Sequence, residues 1–259
     1  MKIATWNVNS LKVRLPQVLS WLAVNADVDV LAVQETKLRN EAFPVTEIEA
    51  AGLHCAFNGQ KTYNGVALLS RQPLQDVMFD MPAFADEQKR VIAATLDGVR
   101  VIGVYVVNGQ EIGSDKFAYK LRWLEALHSY LQAELAAHPE LAVMGDYNIA
   151  PEDRDVHDPE LWRDKILCSP VEREAFRGLL TLGLEDCFRR FEQPPASFSW
   201  WDYRQAGFRR NLGLRIDHIL ASTQLASRCT ACTIDKTPRG WERPSDHAPM
   251  IASFAPPPA

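Results

Sequence analysis

Little in this chain suggests an exported, membrane-bound or disordered protein. Its 5 cysteines (Cys55, Cys168, Cys187, Cys229 and Cys232) are odd in number and scattered, which excludes a disulfide scaffold and fits a reducing compartment. Cys229-Thr-Ala-Cys232 has a CxxC spacing, but with no second Cys/His pair nearby it reads as small residues on a late strand. No apolar run approaches the length of a membrane span. Met1-Lys2 leads straight into Ile3-Ala-Thr-Trp6 without an apolar leader or a small-residue cleavage site, so a cytoplasmic location is expected. Glycine/serine linkers, low-complexity tracts and short-period repeats are also missing. A single domain over residues 1–259 is therefore expected, frayed only at Ala255-Pro-Pro-Pro-Ala259.

Positive charge is also in short supply. The net charge of −5 argues against a phosphate-rich partner. Two features offset that argument. An enzyme that holds cations through carboxylates gathers acidic residues at one place. The segment from Trp200 to Asp217 runs the other way, with Arg204, Arg209, Arg210 and Arg215 against two acids.

Short β-rich apolar runs span the whole length, among them Ile3–Asn7, Val28–Gln34, Gly65–Ser70, Val91–Leu96, Val99–Val107, Leu141–Gly145, Ser197–Tyr203, Ile216–Ala221 and Met250–Phe254. Helical periodicity appears between them, from Pro16 to Ala23 and from Ser114 to Ala137. The second carries Phe117, Leu121, Leu124, Leu127 and Leu131 on one stripe, with Ser114 as N-cap. A third helix is expected from Val171 to Leu182, with Ser169 as cap and Glu172 three residues on. Strands outnumber helices and the two are interspersed. That pattern predicts two packed sheets with helices outside.

Several strands end in residues able to bind metal or move protons: Thr5-Trp-Asn7-Val-Asn9, Val33-Gln-Glu35-Thr, Val104-Tyr105 followed by Asn108-Gly, Gly145-Asp146-Tyr-Asn148, Arg215-Ile-Asp217-His and Ser245-Asp246-His247-Ala-Pro. Each alone reads as a turn, a cap or a solvated loop. Their joint occurrence is what points to a catalytic site, because the bland readings do not predict one another.

In this order the set resembles the exonuclease III family of the endonuclease/exonuclease/phosphatase superfamily, over residues 2 to 254. Gln34-Glu35 and Ser245-Asp-His247 mark the superfamily. Phe198-Ser-Trp-Trp-Asp-Tyr-Arg204 and Gly213-Leu-Arg-Ile-Asp217 resemble its DNA-repair branch. The resemblance implies an α/β, four-layered sandwich: two packed mixed β-sheets flanked by helices. It implies Mg²⁺, with Mn²⁺ as a substitute, on Asn7, Glu35 and Asp246, and leaves open a second ion on Asp146, Asn148 and His247.

The resemblance also implies that Asp146 activates the attacking water while Asn148 holds that water or the phosphoryl oxygens. His247, oriented by Asp217, stabilises developing charge, and Tyr105 donates to the scissile phosphate. Asn108 positions the strand. Trp200, Leu214 and Ile216 match an apolar pocket for an extruded abasic sugar. Arg204, Arg209 and Arg210 become phosphate contacts. The implied substrate is double-stranded DNA with abasic, nicked or blocked 3′ ends, met by a monomer.

Two positions depart from the family pattern, Asn9 where relatives carry aspartate and Leu214 where others carry an aromatic. The segment Trp162–Ser169, around Leu167, resembles a loop near the substrate whose bulk favours a 3′ terminus over a continuous strand. Two competing functions remain at this point. One is the same fold acting on a phosphoinositide, sphingolipid or nucleotide. The other is a catalytically inactive DNA-binding module.

Overall fold

The computed structural model describes residues 1–257. One six-stranded sheet contains β1 (Lys2–Asn7), β2 (Val30–Gln34), β3 (His54–Asn58), β4 (Val66–Ser70), β13 (Cys229–Ile234) and β14 (Met250–Phe254), in the order β13-β14-β1-β2-β4-β3. The other contains β5 (Gln75–Phe79), β6 (Val91–Leu96), β7 (Val99–Tyr105), β8 (Leu141–Asp146), β9 (Leu184–Asp186) and β12 (Asp217–Ser222), in the order β5-β6-β7-β8-β12-β9. β10 (Trp200–Trp201) and β11 (Gly213–Leu214) form a separate two-stranded ribbon.

Each six-stranded sheet has one parallel pair, β1 with β2 and β7 with β8, and its other pairs are antiparallel. A parallel connection needs a crossover. α1 (Leu11–Val24) supplies it in the first sheet and α3 (Asp115–Ala137) in the second. Shorter helices are α2 (Val45–Ala50), α4 (Pro159–Trp162) and α6 (Thr223–Ala226), and α5 (Pro170–Thr181) packs beside α3.

Alternation along the strands sorts side chains into three apolar layers. Ile3, Val30, Ala32, Leu68, Ile92, Val101, Met144 and Ile219 fill the space between the sheets. Trp6, Leu31 and Val33 turn outward onto Val18, Trp21 and Ile48. Ile102, Val104 and Val143 turn the other way onto Trp123, Leu127, Phe176 and Leu179. The central strands are buried on both faces, which is why they read as continuous apolar runs. The four expected layers are present.

Both expected caps form. Ser114 Oγ accepts from Phe117 N at 3.1 Å, and Ser169 with Glu172 makes a reciprocal capping box at the start of α5. Three expectations differ. The first helix starts at Leu11, not Pro16, which lies inside it. Pro16 is exposed, so the carbonyl it leaves unbonded faces water. Of the run Ser197–Tyr203, only Trp200–Trp201 is strand, paired to Gly213–Leu214. β3, β5, β9 and β11 went unforeseen. Of the proline tail, Pro258 and Ala259 lie outside the described residues. No helix among the described residues is long and apolar enough to cross a membrane.

Candidate active site

The two parallel pairs end at one place. Asn7 closes β1 beside Gln34 at the end of β2, and Tyr105 closes β7 beside Asp146 at the end of β8. Asp217, at the start of antiparallel β12, lies opposite Asp146. Close strand approach here depends on Gly145, where a Cβ would stand 1.8 Å from the Val104 carbonyl oxygen. Asp246 and His247 come in on the loop before β14. Ser245 ties that loop down, its Oγ donating to the Asn7 carbonyl at 2.6 Å, and the Trp6 indole donates to the His247 carbonyl at 3.1 Å.

Asn7 joins the site as a donor. Its Nδ2 bonds Glu35 Oε1 at 2.8 Å and Asp146 Oδ2 at 2.9 Å. Its Oδ1 accepts from Asn9 N at 3.0 Å. Tyr105 donates to Glu35 Oε1 at 3.0 Å. Burial, then the Glu35 and Asp146 carboxylates, push the phenol well above its ordinary value, so it stays a proton donor at neutral pH. Burial works to raise Glu35, but the Lys37 ammonium, then the Asn7 amide, outweigh it and the carboxyl stays ionised.

His247 lies between two carboxylates. Its Nδ1 donates to Asp217 Oδ2 at 2.9 Å, and its Nε2 stands 3.6 Å from Asp146 Oδ2. Burial alone would lower the imidazole, yet Asp217 and then Asp146 push it up to about 10. Asp146 moves to about 7, raised first by burial and then by Asp217, against the pull of His247. The result is a buried imidazolium facing a carboxylate poised near neutrality, suited to general-base chemistry.

The expected site residues gather here, with two qualifications. The Asn148 side chain is held by its neighbours, Oδ1 accepting from Asn108 at 3.1 Å and Nδ2 donating to the Val106 carbonyl at 2.9 Å, while its backbone N–H donates to Asp146 Oδ1 at 2.9 Å. Asp146, Asp217 and His247 converge in one buried cluster, but with His247 protonated it offers a cation only its carboxylates. Leu214 and Ile216 do not line an open pocket. Both are buried in a cluster with Val156, Leu167 and Cys168, against which Trp162, Ile166 and Trp200 pack. Arg204, Arg209 and Arg210 are exposed on the loop after β10, and Arg204 is paired with Asp202 at 2.8 Å.

Three residues at the site were not foreseen in these roles. Lys37 donates to Asn9 Oδ1 at 2.6 Å and pairs with Glu35 Oε2 at 2.9 Å. Asn9 in turn donates to Asp246 Oδ1 at 3.1 Å. Trp200, expected only as a pocket wall, donates its indole N–H to Asp246 Oδ2 at 3.0 Å. The Lys37 ammonium thus rests on Glu35 and Asn9 oxygens, and carboxylate and amide oxygens of this kind suit a hard divalent ion.

A family model described as the endonuclease/exonuclease/phosphatase family matches residues 4–247. The chain is 39% identical to exodeoxyribonuclease III of Haemophilus influenzae, over 98% of this chain and 100% of the relative. It resembles the structure of a 3′ phosphatase from Neisseria bound to a product DNA hairpin, with a TM-score of 0.96, 52% identity and coverage of 98% and 99% of the two chains. It also resembles an AP endonuclease from Archaeoglobus fulgidus, with a TM-score of 0.94, 40% identity and coverage of 98% and 99%.

Proposed function

This chain belongs to the endonuclease/exonuclease/phosphatase family, and from that premise we propose a DNA repair hydrolase that works mainly at 3′ ends, with Mg²⁺ as its ion and Mn²⁺ as a substitute. The observation that carries the reading is the pair of carboxylates, Glu35 and Asp146, joined through the Asn7 amide. Opposite it stands a histidine that Asp217 holds protonated. Glu35 and Asp246 are the carboxylates to hold the ion, beside Asn7 and Asn9. The bound ion supplies Lewis-acid stabilisation of the charged phosphoryl and leaving oxygens.

The chain's own residues supply the rest. Asp146 takes the proton of the attacking water. The His247 imidazolium and the Tyr105 phenol donate to the phosphoryl oxygens as negative charge accumulates there. Asn108, tied to Asn148, positions the strand beside the reacting phosphate. Arg204, Arg209 and Arg210 bind phosphates without reading sequence.

The filled apolar cluster favours a terminus over an internal abasic site. Leu167 and Leu214 are buried in it, leaving them no open face toward an extruded sugar, and a free 3′ end requires no extrusion. The proposed substrate is thus double-stranded DNA with nicked or blocked 3′ ends, with abasic incision the weaker activity. The most open large apolar side chains, Val24 and Tyr63, lie on separate elements, which supports action as a monomer. A cytoplasmic location fits the free cysteines.

Two end-labelled duplexes in Mg²⁺ test this, one nicked with a 3′-phosphate and one with an internal abasic analogue. Release of 3′-phosphate should exceed abasic incision, EDTA should abolish both, and Asp146→Asn should lower kcat by about 10²–10⁴-fold with little change in KM. Faster incision of the abasic strand would overturn the terminus preference. Equal rates with and without EDTA would overturn the metal-assisted mechanism.

A further inference from the structure

Beneath the site lies a cation that no step above uses. Lys120, near the start of α3, is wholly buried. Its Nζ donates to the Asn148 carbonyl at 2.7 Å and the Asn108 carbonyl at 3.1 Å, and pairs with Glu172, which is equally buried. Those three partners use all three ammonium hydrogens. Glu172 also accepts from Leu167 N at 3.1 Å, Ser169 N at 3.2 Å and Ser169 Oγ at 2.6 Å.

Backbone conformation gives these bonds their meaning. Asn148 and Leu167 both have left-handed backbones, φ 50° and φ 72°. Asparagine tolerates that region, whereas leucine does so only when surrounding structure imposes it. Each is fastened to one end of the same ion pair, Asn148 through its carbonyl and Leu167 through its N–H. Between them Ala150 N donates to the Leu167 carbonyl at 2.8 Å. Helix capping alone does not account for the arrangement, since a capping box needs neither Lys120 nor Leu167. Space for the lysine stem comes from Gly109, where a Cβ would stand 3.0 Å from Lys120 Cδ and 3.1 Å from Ile166 Cδ1.

We propose that Lys120 is a positioning residue which, through Glu172, locks the Asn108–Asn148 amide pair in register with the 163–169 loop that fills the apolar cluster. This rests on the function proposed above, because it gives those amides a role in holding substrate. The lock makes the shape that admits a 3′ end and the groups that hold its phosphate one mechanical unit.

Kinetics and hydrogen exchange together test it. With the nicked 3′-phosphate duplex in Mg²⁺, Lys120→Met should lower kcat about 10–100-fold and change KM less than about threefold. In an Asn148→Ala background the same substitution should cost less than about twofold, because its effect runs through Asn148. Exchange protection should fall together at residues 147–150 and 165–169 while β1 and β8 stay protected. Lys120→Met leaves Glu172 buried without a cation, so Lys120→Met with Glu172→Gln is measured beside it, and the same pattern is expected. A full multiplicative loss in the Asn148→Ala background, or loss of protection in only one segment, would overturn the lock. A wild-type enzyme inactive on DNA would overturn the function instead, and the exchange arm would still decide the lock.

Discussion

At the scale of single residues, the site runs on two proton affinities set by burial and neighbouring charge. Asp146, raised to about 7, accepts a proton from water only above that pH. His247, pushed up to about 10, keeps its charge only below that pH. For the metal-free protein these values bracket the window in which base and cation coexist; a bound divalent ion moves the Asp146 limb to lower pH. The rate profile of kcat/KM should therefore be bell-shaped. Asp217→Asn removes the carboxylate that does most to keep the imidazole protonated, so it should move the alkaline limb to lower pH by more than about one unit. An unmoved limb would show that His247 does not set it. Asp146 was legible in the sequence because an apolar run stops there at a polar residue, and His247 because it sits in a Ser-Asp-His stretch just before the last apolar run. Lys37 and Lys120 were not. Lys37 follows a motif already explained, and Lys120 occupies a helical position where lysine ordinarily meets solvent. Only the fold reveals that Asn108, Asn148 and Glu172 converge on it.

At the scale of elements, the strong signals belonged to segments whose periodicity is unbroken, such as α3 with its Ser114 cap and the doubly buried β2, β7 and β8. Edge strands were harder to see. β5 is mostly exposed and β9 is three residues long, so neither carries an apolar pattern. The start of β12 depends on a charged network that no periodicity announces. Arg215 pairs with Asp155 at 2.7 Å and Asp186 at 2.8 Å. It also donates to His218 Nδ1 at 3.0 Å, while His218 Nε2 donates to the Ile149 carbonyl at 2.8 Å. With one nitrogen accepting from a guanidinium, the imidazole must stay neutral, and burial followed by Arg215 lowers it from 6.5 to about 4. The unfolded chain therefore takes up a proton between those values that the folded protein refuses. Stability from this group is complete above pH 6.5 and is lost as pH falls toward about 4, by on the order of 3 kcal/mol. Urea midpoints measured at about pH 7.5 and 4.5 should converge in His218→Gln, which keeps a donor and an acceptor but does not titrate. If wild type and variant lose stability in parallel, His218 is not the acid-labile group.

At the scale of the whole molecule, a chain of net charge −5 that acts on DNA must separate its charge in space. The acidic groups concentrate where four strands end, and there a cation offsets them. Phosphate attraction then falls to exposed arginines outside that centre, with Arg204, Arg209 and Arg210 grouped on the loop between β10 and β11. Arg204 already has a partner in Asp202, so Arg209 and Arg210 are the freer pair for DNA. Each arginine that neutralises a phosphate displaces condensed counterions, and the slope of log affinity against log salt shrinks by about 0.9 for every phosphate left without its arginine. Arg209→Gln with Arg210→Gln should therefore flatten the salt dependence of KM by about 1.8 while leaving kcat at low salt within about twofold of wild type. Such an outcome would place the duplex across this loop and explain how an acidic protein holds a polyanion. An unchanged slope with an unchanged KM would mean that the duplex runs elsewhere, and the basic groups flanking Tyr105, Arg90 and Lys116, would be the next to replace.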